Sequence, residues 1–475
     1  MKKYLFISIS IIFFVALYFI ISSQIGASNK NKLSNILISY LSEDQKSFIK
    51  EKIFVFKNQK VLKKEIQNLN KELIELSNKN TELYLLLDVN KIPFEQVEPF
   101  TKIENEKNII QFKKFTNKVL SIKKNYAYSS YIDSLNDNIF MVSADSKYFG
   151  YLNIEDLKKN KFDLNVIKTN FKDFINFDEF FINSKFGIKD ILIHKNQMYV
   201  SFTNMISKDC FNTSILVSDL NLDFLKFEKF FVPKDCIKKE NSFGWFNEHI
   251  SGGRIFPFSD NKILFSTGSY QFMTKAQDKN SIFGKILSIN IENKDIEIMS
   301  MGHRNVQGLY YDKNKNLIWS SEHGPKGGDE VNLNNLNEKN IEIPNYGWPI
   351  SSYGKHYNDN KSLYEKAPLK KSHIQNGFIE PKKYYVPSIG ISEIIKVVKK
   401  QNTDTYRLLV SSLGHKPYNG SQSLILLEFD NNFNFKGEKI FTLGERVRDI
   451  IYLKKIDKFL AYLETSSSLI LIDFK

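Results

Sequence analysis

From about residue 130 onward the chain returns again and again to one pattern: an apolar run often closing on Ser or Thr, a loop, then a second apolar run. First runs begin at NIFMVSAD (138–145), QMYVSFTN (197–204), KILFSTGS (262–269), NLIWSSEH (316–323), YRLLVSSLG (406–414) and KFLAYLETS (458–466). Their partners include YFGYLNI, SILVSDL, GKILSINI, DEVNLNNL, SLILLEF and SLILIDF. Runs this short, rich in β-branched and aromatic residues and bounded by Asn, Asp, Lys and Gly, predict strands. Period-2 patterning by itself also fits a β-helix or a sandwich. Six copies at roughly 50–90-residue spacing point to radial repetition, a six-bladed β-propeller, which leaves only short sheet edges. Loops of a propeller gather at one mouth of its channel, a natural concave site.

The first quarter of the chain reads differently. Residues 4–23, YLFISISIIFFVALYFIISS, carry no charge, and twenty such residues are long enough to cross hydrocarbon as a helix. Lys2 and Lys3 favour a cytoplasmic N-terminus. The expectation is therefore a single-pass protein of the inner membrane with its main domain in the periplasm, the alternative being a cleaved signal peptide. Residues 48–87 hold an unbroken heptad seam: Phe48, Lys52, Val55, Gln59, Leu62, Ile66, Leu69, Leu73, Leu76, Asn80, Leu83 and Leu87. That spacing predicts a self-associating coiled-coil stalk, giving a homo-oligomer, or a lone amphipathic helix packed on the propeller. Residues 88–125, with Pro93 and Pro99, read as a connector. The expected divisions are an anchor at 1–23, stalk and linker at 24–125, and propeller at 126–475.

The net charge of +14 suggests an anionic partner, but its distribution argues against nucleic acid. Residues 1–125 hold 21 Lys and 12 acids, leaving 46 basic and 41 acidic residues for the remainder. The main domain is nearly balanced and has no Arg-rich run. The only cysteines, Cys210 and Cys236, read as a disulfide in an exported domain or as two buried thiols. Without a CxxC pair or a Cys/His cluster, zinc is not expected.

Chemistry concentrates in a few loops. Residues 302–330 read GHRNVQGLYYDKNKNLIWSSEHGPKGGDE, followed by NYGWP at 345–349; EHISGGRI (248–255), VPSIGIS (386–392) and ERVRD (445–449) complete the set. His249 offers an imidazole that titrates near working pH, with Glu248 beside it. Arg304 offers a permanently charged planar fork, and Arg446 and Arg448 alternate along a strand-like segment so that both face one side. Two guanidiniums on one face need something anionic between them, either a ligand or a structural partner such as Asp449.

Together these fragments resemble the soluble quinoprotein glucose/sorbosone dehydrogenases, six-bladed propellers that oxidise sugars with pyrroloquinoline quinone (PQQ). The resemblance covers roughly 126–475. It implies oxidation of an aldose or related sugar at the anomeric carbon, with His249 as general base and hydride transfer to PQQ. It places Arg304 and Asn305 against the redox-active carbonyls of PQQ, Arg446 and Arg448 on its carboxylates, and Lys416, in an enlarged loop, as a further cofactor ligand. It also assigns calcium to the carbonyls of Gly324 and Pro325, and matches Glu330 and Tyr346 to ligands of a second calcium whose later ligands are lost; His356 stands where an acid is expected. Calcium favours oxygen ligands of this kind. Electrons would leave to an external acceptor. Several pocket positions depart from the family: NSKFGIKDI (183–191) lacks the expected amide, Val386 replaces a tryptophan, and TGD reads TGS at 267–269. A non-catalytic glycan- or protein-binding propeller is the rival reading, and a calcium-dependent lactonase a third that leaves the R-x-R pair unexplained.

Overall fold

In the computed structural model the described residues are 65, 68, 91–97, 102–105, 108–117, 129–175, 180, 186–243, 246–338, 342–357, 365–397, 405–415 and 418–474. Contacts divide the chain into two units, 1–76 and 77–475, and the second holds all that follows.

Six blades, each of four main strands, succeed one another, the first and sixth joined in one sheet. The first contains Ser130–Leu135, Asn138–Ser143, Phe149–Asn153 and Lys161–Thr169; the second Ile188–His194, Gln197–Ser207, Cys210–Asp219 and Glu228–Phe231. The third runs from Gly252–Ser259 to Ile296–Met301, the fourth from Val306–Asp312 to Lys383–Tyr385, and the fifth from Ile391–Lys396 to Phe435–Thr442. The sixth has Val447–Leu453, Lys458–Leu463 and Ser468–Phe474. The innermost strands touch in order, and that of the sixth blade touches that of the first, closing a ring around a channel.

Local chemistry explains the meander. Lys195 and Asn196, both at positive φ (50° and 59°), join Ile188–His194 to Gln197–Ser207 in a two-residue turn whose twist matches the strands. Second strands such as Asn138–Ser143 and Leu317–Glu322 are buried almost throughout, because neighbouring blades cover both faces. A separate apolar core fills each junction. Phe140, Val200 and Phe202 pack between the first and second blades, and Trp319, Leu408 and Phe429 between the fourth and fifth.

The ring is sealed by strands from the N-terminal quarter. Asn108–Thr116 pairs antiparallel with Ser468–Phe474, from Thr116 opposite Ser468 to Ile110 opposite Phe474, and so forms the outer strand of the sixth blade. Lys91–Gln96 pairs with both Asn108–Thr116 and Lys161–Thr169, tying the outer edges of the sixth and first blades together. Phe94 and Phe115, both fully buried, enter the core shared by these blades.

This corrects the expected architecture of the first quarter. Residues 91–96, 102–105 and 108–116 are strand rather than connector, because the sixth blade lacks a fourth strand of its own. Among the described residues no helix is long and apolar enough to cross a membrane; Glu65, Asn68, Glu365 and Lys366 are helical, and the remaining helix is short turns such as Ile154–Lys158. The transmembrane helix, the coiled-coil stalk, oligomerisation through it and the single-pass membrane location are therefore not carried by the described structure. The apolar run 4–23 lies outside the described residues, as does the heptad segment apart from Glu65 and Asn68. Cys210 and Cys236 form a disulfide within the second blade, with Cα atoms 5.4 Å apart.

Candidate active site

Each inner strand begins at the same mouth of the channel, and five of the six carry a break in pairing there: between Ile188 and Asp190, Gly252 and Ile255, Val306 and Gly308, Ile391 and Ile394, and Val447 and Asp449. A bulge frees a residue from the ladder and re-aims its side chain. Lys189, Gln307 and Arg448 fall in these breaks, which is why polar side chains meet in a channel built from β-branched strands.

Asn305 ties the histidine loop to the fourth blade. Its Nδ2 donates to the His249 carbonyl (3.1 Å), and its Oδ1 accepts from the Gly252 N–H (3.0 Å) and from Gln307 Nε2 (3.1 Å). Gln307 Oε1 in turn accepts from Arg448 Nη1 (3.2 Å). Arg448 Nε and Arg446 Nε each donate to one oxygen of Glu464, at 2.5 and 2.7 Å. One chain of hydrogen bonds thus runs from the His249 loop through Asn305, Gln307, Arg448 and Glu464 to Arg446. Arg446 Nη1 continues to the Leu413 carbonyl and to His415 Nε2 (3.2 Å) in the enlarged loop; Lys416 lies outside the described residues. Residue 249 is exposed at the mouth while Glu248 is buried.

Arg304 is buried beneath this chain. Its N–H donates to Glu322 Oε2 (2.7 Å) and its Nη1 to the carbonyls of His323 (3.0 Å) and Gly324 (2.7 Å). Its guanidinium lies 5.5 Å from the Trp348 ring centroid. The other Glu322 oxygen accepts from His303 Nδ1 (2.9 Å), and the His303 ring stacks on Tyr346 at 4.9 Å. Burial pushes the Glu322 carboxyl up, but His303 and the Arg304 N–H more than offset it and hold it below the ordinary range.

The 324–328 turn needs its glycines. A Cβ on Gly324 would lie 2.1 Å from the Gly328 carbonyl oxygen. Asp329 locks the turn: Oδ1 accepts from the Gly324 N–H, and Oδ2 from the N–H groups of Ile389, Gly390 and Ile391. The Pro325 carbonyl accepts from Ser388 Oγ (3.1 Å).

Several site groups escaped the sequence reading. Glu464, not Asp449, is the anion between Arg446 and Arg448. Burial pushes it up, yet the two guanidiniums prevail and hold it at about 2. Lys189 stands in the segment where an amide was expected, and its stem covers Gly253, whose Cβ would fall 2.3 Å from Lys189 Cβ. Burial, then Arg448, lower it to about 7. Burial lowers His323 to about 4, and among the described residues its Nε2 has no hydrogen-bond partner. Deeper in the channel Arg254 Nη1 meets Asp190, Glu393 and Asp449 at 3.1, 2.7 and 3.0 Å. Its Nε and Nη2 donate to the carbonyls of Gln307 and Arg448.

These walls suit a polyanionic cofactor. Arg304, Arg446 and Arg448 outnumber the one carboxylate set between two of them, and the buried Arg304 Nε makes no hydrogen bond among the described residues. The Gly324 and Pro325 carbonyls each accept one protein donor and retain a second lone pair, the ligand type calcium prefers. Glu330 and Tyr346 do not fit in the same way: His373 sits between them, Nε2 3.1 Å from Glu330 Oε1 and Nδ1 2.9 Å from the Tyr346 carbonyl.

A sequence model of the family described as glucose/sorbosone dehydrogenase matches residues 159–464. The chain belongs to this family. Among its relatives, the aldose sugar dehydrogenase YliI of Escherichia coli K12 is 26% identical over 218 residues, 42% of this chain and 53% of that protein. Quinoprotein glucose dehydrogenase B of Acinetobacter calcoaceticus is 36% identical over 127 residues, 20% of this chain and 25% of that one. The matched segments thus span about half or less of these curated relatives' length. The family fold extends further than the sequence match. The soluble aldose sugar dehydrogenase of E. coli in its apo form superposes with a TM-score of 0.56 at 18% identity, covering 76% of this chain and 99% of that one. The PQQ-bound aldose sugar dehydrogenase of Streptomyces coelicolor gives 0.50 at 17% identity, covering 77% and 98%.

Proposed function

We propose that this protein oxidises an aldose or related sugar at its anomeric carbon, with PQQ as cofactor. The observation that carries this reading is the continuous hydrogen-bond chain that brings the His249 loop, Asn305, Arg448 and Arg446 to one mouth, with Arg304 beneath. PQQ, when bound, supplies the electron sink that no amino acid provides.

The chain's own residues supply the rest. The His249 imidazole takes the proton from the anomeric hydroxyl as general base. Asn305 fixes the loop that carries it through the His249 carbonyl and the Gly252 N–H. Arg446 and Arg448 would bind cofactor carboxylates, each held through its Nε by one oxygen of Glu464. Arg304, desolvated and held by two carbonyls, presents fixed positive charge where negative charge grows. Gly324 and Pro325 would hold one calcium ion. The electron acceptor is an external one.

The test is a titration of the full chain with PQQ and calcium, followed by dye-linked oxidation of an aldose panel. Calcium-dependent binding with turnover, reduced about 100- to 10,000-fold by His249→Ala while PQQ affinity is retained, is the expected result. Failure to bind PQQ would overturn the redox reading and favour a glycan- or protein-binding propeller.

A further inference from the structure

The Glu330–His373–Tyr346 contact is a site in its own right. Glu330 lies on the third strand of the fourth blade, Asp329–Asn335, Tyr346 in the NYGWP turn, and His373 at the head of the short turn Ile374–Asn376. All three are buried, His373 with 1% of its surface exposed. The imidazole spans the gap between the other two: Nε2 faces the carboxylate at 3.1 Å, Nδ1 the Tyr346 carbonyl at 2.9 Å and Ser351 Oγ at 3.0 Å. Carbonyl and carboxylate are both acceptors, and the imidazole occupies the span between them, hydrogen-bonding through Nδ1 and setting Nε2 against the Glu330 carboxylate.

The ring itself lies between the two oxygens an ion would need. Gly347, at φ +86°, could not carry a Cβ, which would lie 2.1 Å from Ser351 Oγ and 2.9 Å from His373 Nδ1. Calcium takes six to eight oxygens at about 2.3–2.6 Å, and the neighbouring carboxylates are committed elsewhere. Asp329 accepts four backbone N–H groups, Glu322 accepts from His303, and Glu380 from Tyr353 and the Ile374 N–H. Among the described residues no group of His, Cys, Asp and Glu side chains is arranged to hold a metal.

We propose that the His373 imidazole takes the position where Glu330 and the Tyr346 carbonyl would otherwise share a calcium ion, and that it acts as a metal-independent strut for Arg304. The mechanical connection is on view. His373 holds Tyr346, Tyr346 stacks on His303, His303 orients Glu322, and Glu322 accepts the Arg304 N–H. The inference does not depend on sugar oxidation, since the strut exists whatever Arg304 binds.

The test is calcium stoichiometry of the full chain without PQQ, measured by isothermal titration and by melting with calcium or EDTA. Glu330→Gln, isosteric and unable to bind calcium well, is expected to bind as many ions per chain as wild type. His373→Asp, which places a second carboxylate beside Glu330, is expected to gain one ion and a calcium-dependent rise in melting temperature that wild type lacks. Loss of an ion in Glu330→Gln would overturn the proposal by showing that wild type uses Glu330 as a ligand. A folded His373→Asp that gains no ion would overturn it too. If His373→Asp does not fold, the Glu330→Gln comparison decides the matter.

Discussion

Arg254 shows how much of this channel depends on single charges. One guanidinium faces Asp190, Glu393 and Asp449, contributed by the second, fifth and sixth blades, so three acids share one cation. Burial raises Asp190 to about 7, against the pull of Arg254, and lifts Glu393 well above the carboxylate range. The folded protein thus keeps a proton on Asp190 that the unfolded chain loses near pH 4. Because the native state binds more protons over that interval, stability contributed here falls as pH rises from about 4 to about 7. Glu464, held at about 2, has the opposite sign: its contribution is present above about pH 4.5 and is lost as pH falls through about 2. Arg254→Met should lose about 3–5 kcal/mol, as expected for stranding buried charge, and lose more at pH 8 than at pH 5; urea unfolding at the two pH values measures this. Glu464→Gln should raise the Kd for PQQ while leaving His249-dependent proton transfer intact, because it frees the Arg446 and Arg448 forks without touching the histidine loop. A Kd equal to wild type, measured by titration, would remove Glu464 from the site.

Elements were legible in proportion to how they are buried. Second strands of every blade, and most third strands, appear in the sequence as largely apolar runs, because blades pack on both of their faces; the third strand of the fourth blade, DEVNLNN, is the polar exception. First strands stood out less: IKDILIH and GGRIFPFS carry Asp190 and Arg254 among their apolar residues, and VRDIIYL, strand-like in the sequence, carries Arg448, since one end of each lines a polar channel. Outer strands such as Phe435–Thr442 are half-exposed and charged, the usual defence of a sheet edge. Asn108–Thr116 was hidden for another reason, as its partner lies more than 350 residues away. Its role carries a prediction: a chain begun at residue 126 exposes the edge of Ser468–Phe474 and should aggregate, whereas one begun near residue 89 should stay folded, as light scattering and thermal melting would report. Phe115→Ala, at a fully buried position, should remove about 3–5 kcal/mol. Within the second blade, reducing the Cys210–Cys236 bridge, which spans 26 residues, should lower stability by about 3 kcal/mol, measurable by denaturation with and without reductant.

At the scale of the whole molecule, a ring of blades brings side by side residues that have no relation along the chain. Composition, run length and run spacing were enough to indicate repeated β-sheet, a near-neutral main domain and a set of loops rich in Gly, His and Arg, because each of these is a local property of the polypeptide. The alternation of Arg446 and Arg448 was equally local, and so was the demand for an anion between them. Which anion was a tertiary matter: Glu464 reaches both arginines from the far end of the neighbouring strand, and only strand pairing places it there. The same holds for Asn305 gripping the His249 loop across 56 residues and for His373 filling the place between Glu330 and Tyr346. The fourth strand of the sixth blade is the clearest case. Nothing local marks Asn108–Thr116 as part of a blade whose other strands begin at Val447, because the driving force is closure itself: an open ring leaves backbone donors, acceptors and apolar side chains exposed at both ends, and one segment from the start of the chain satisfies both.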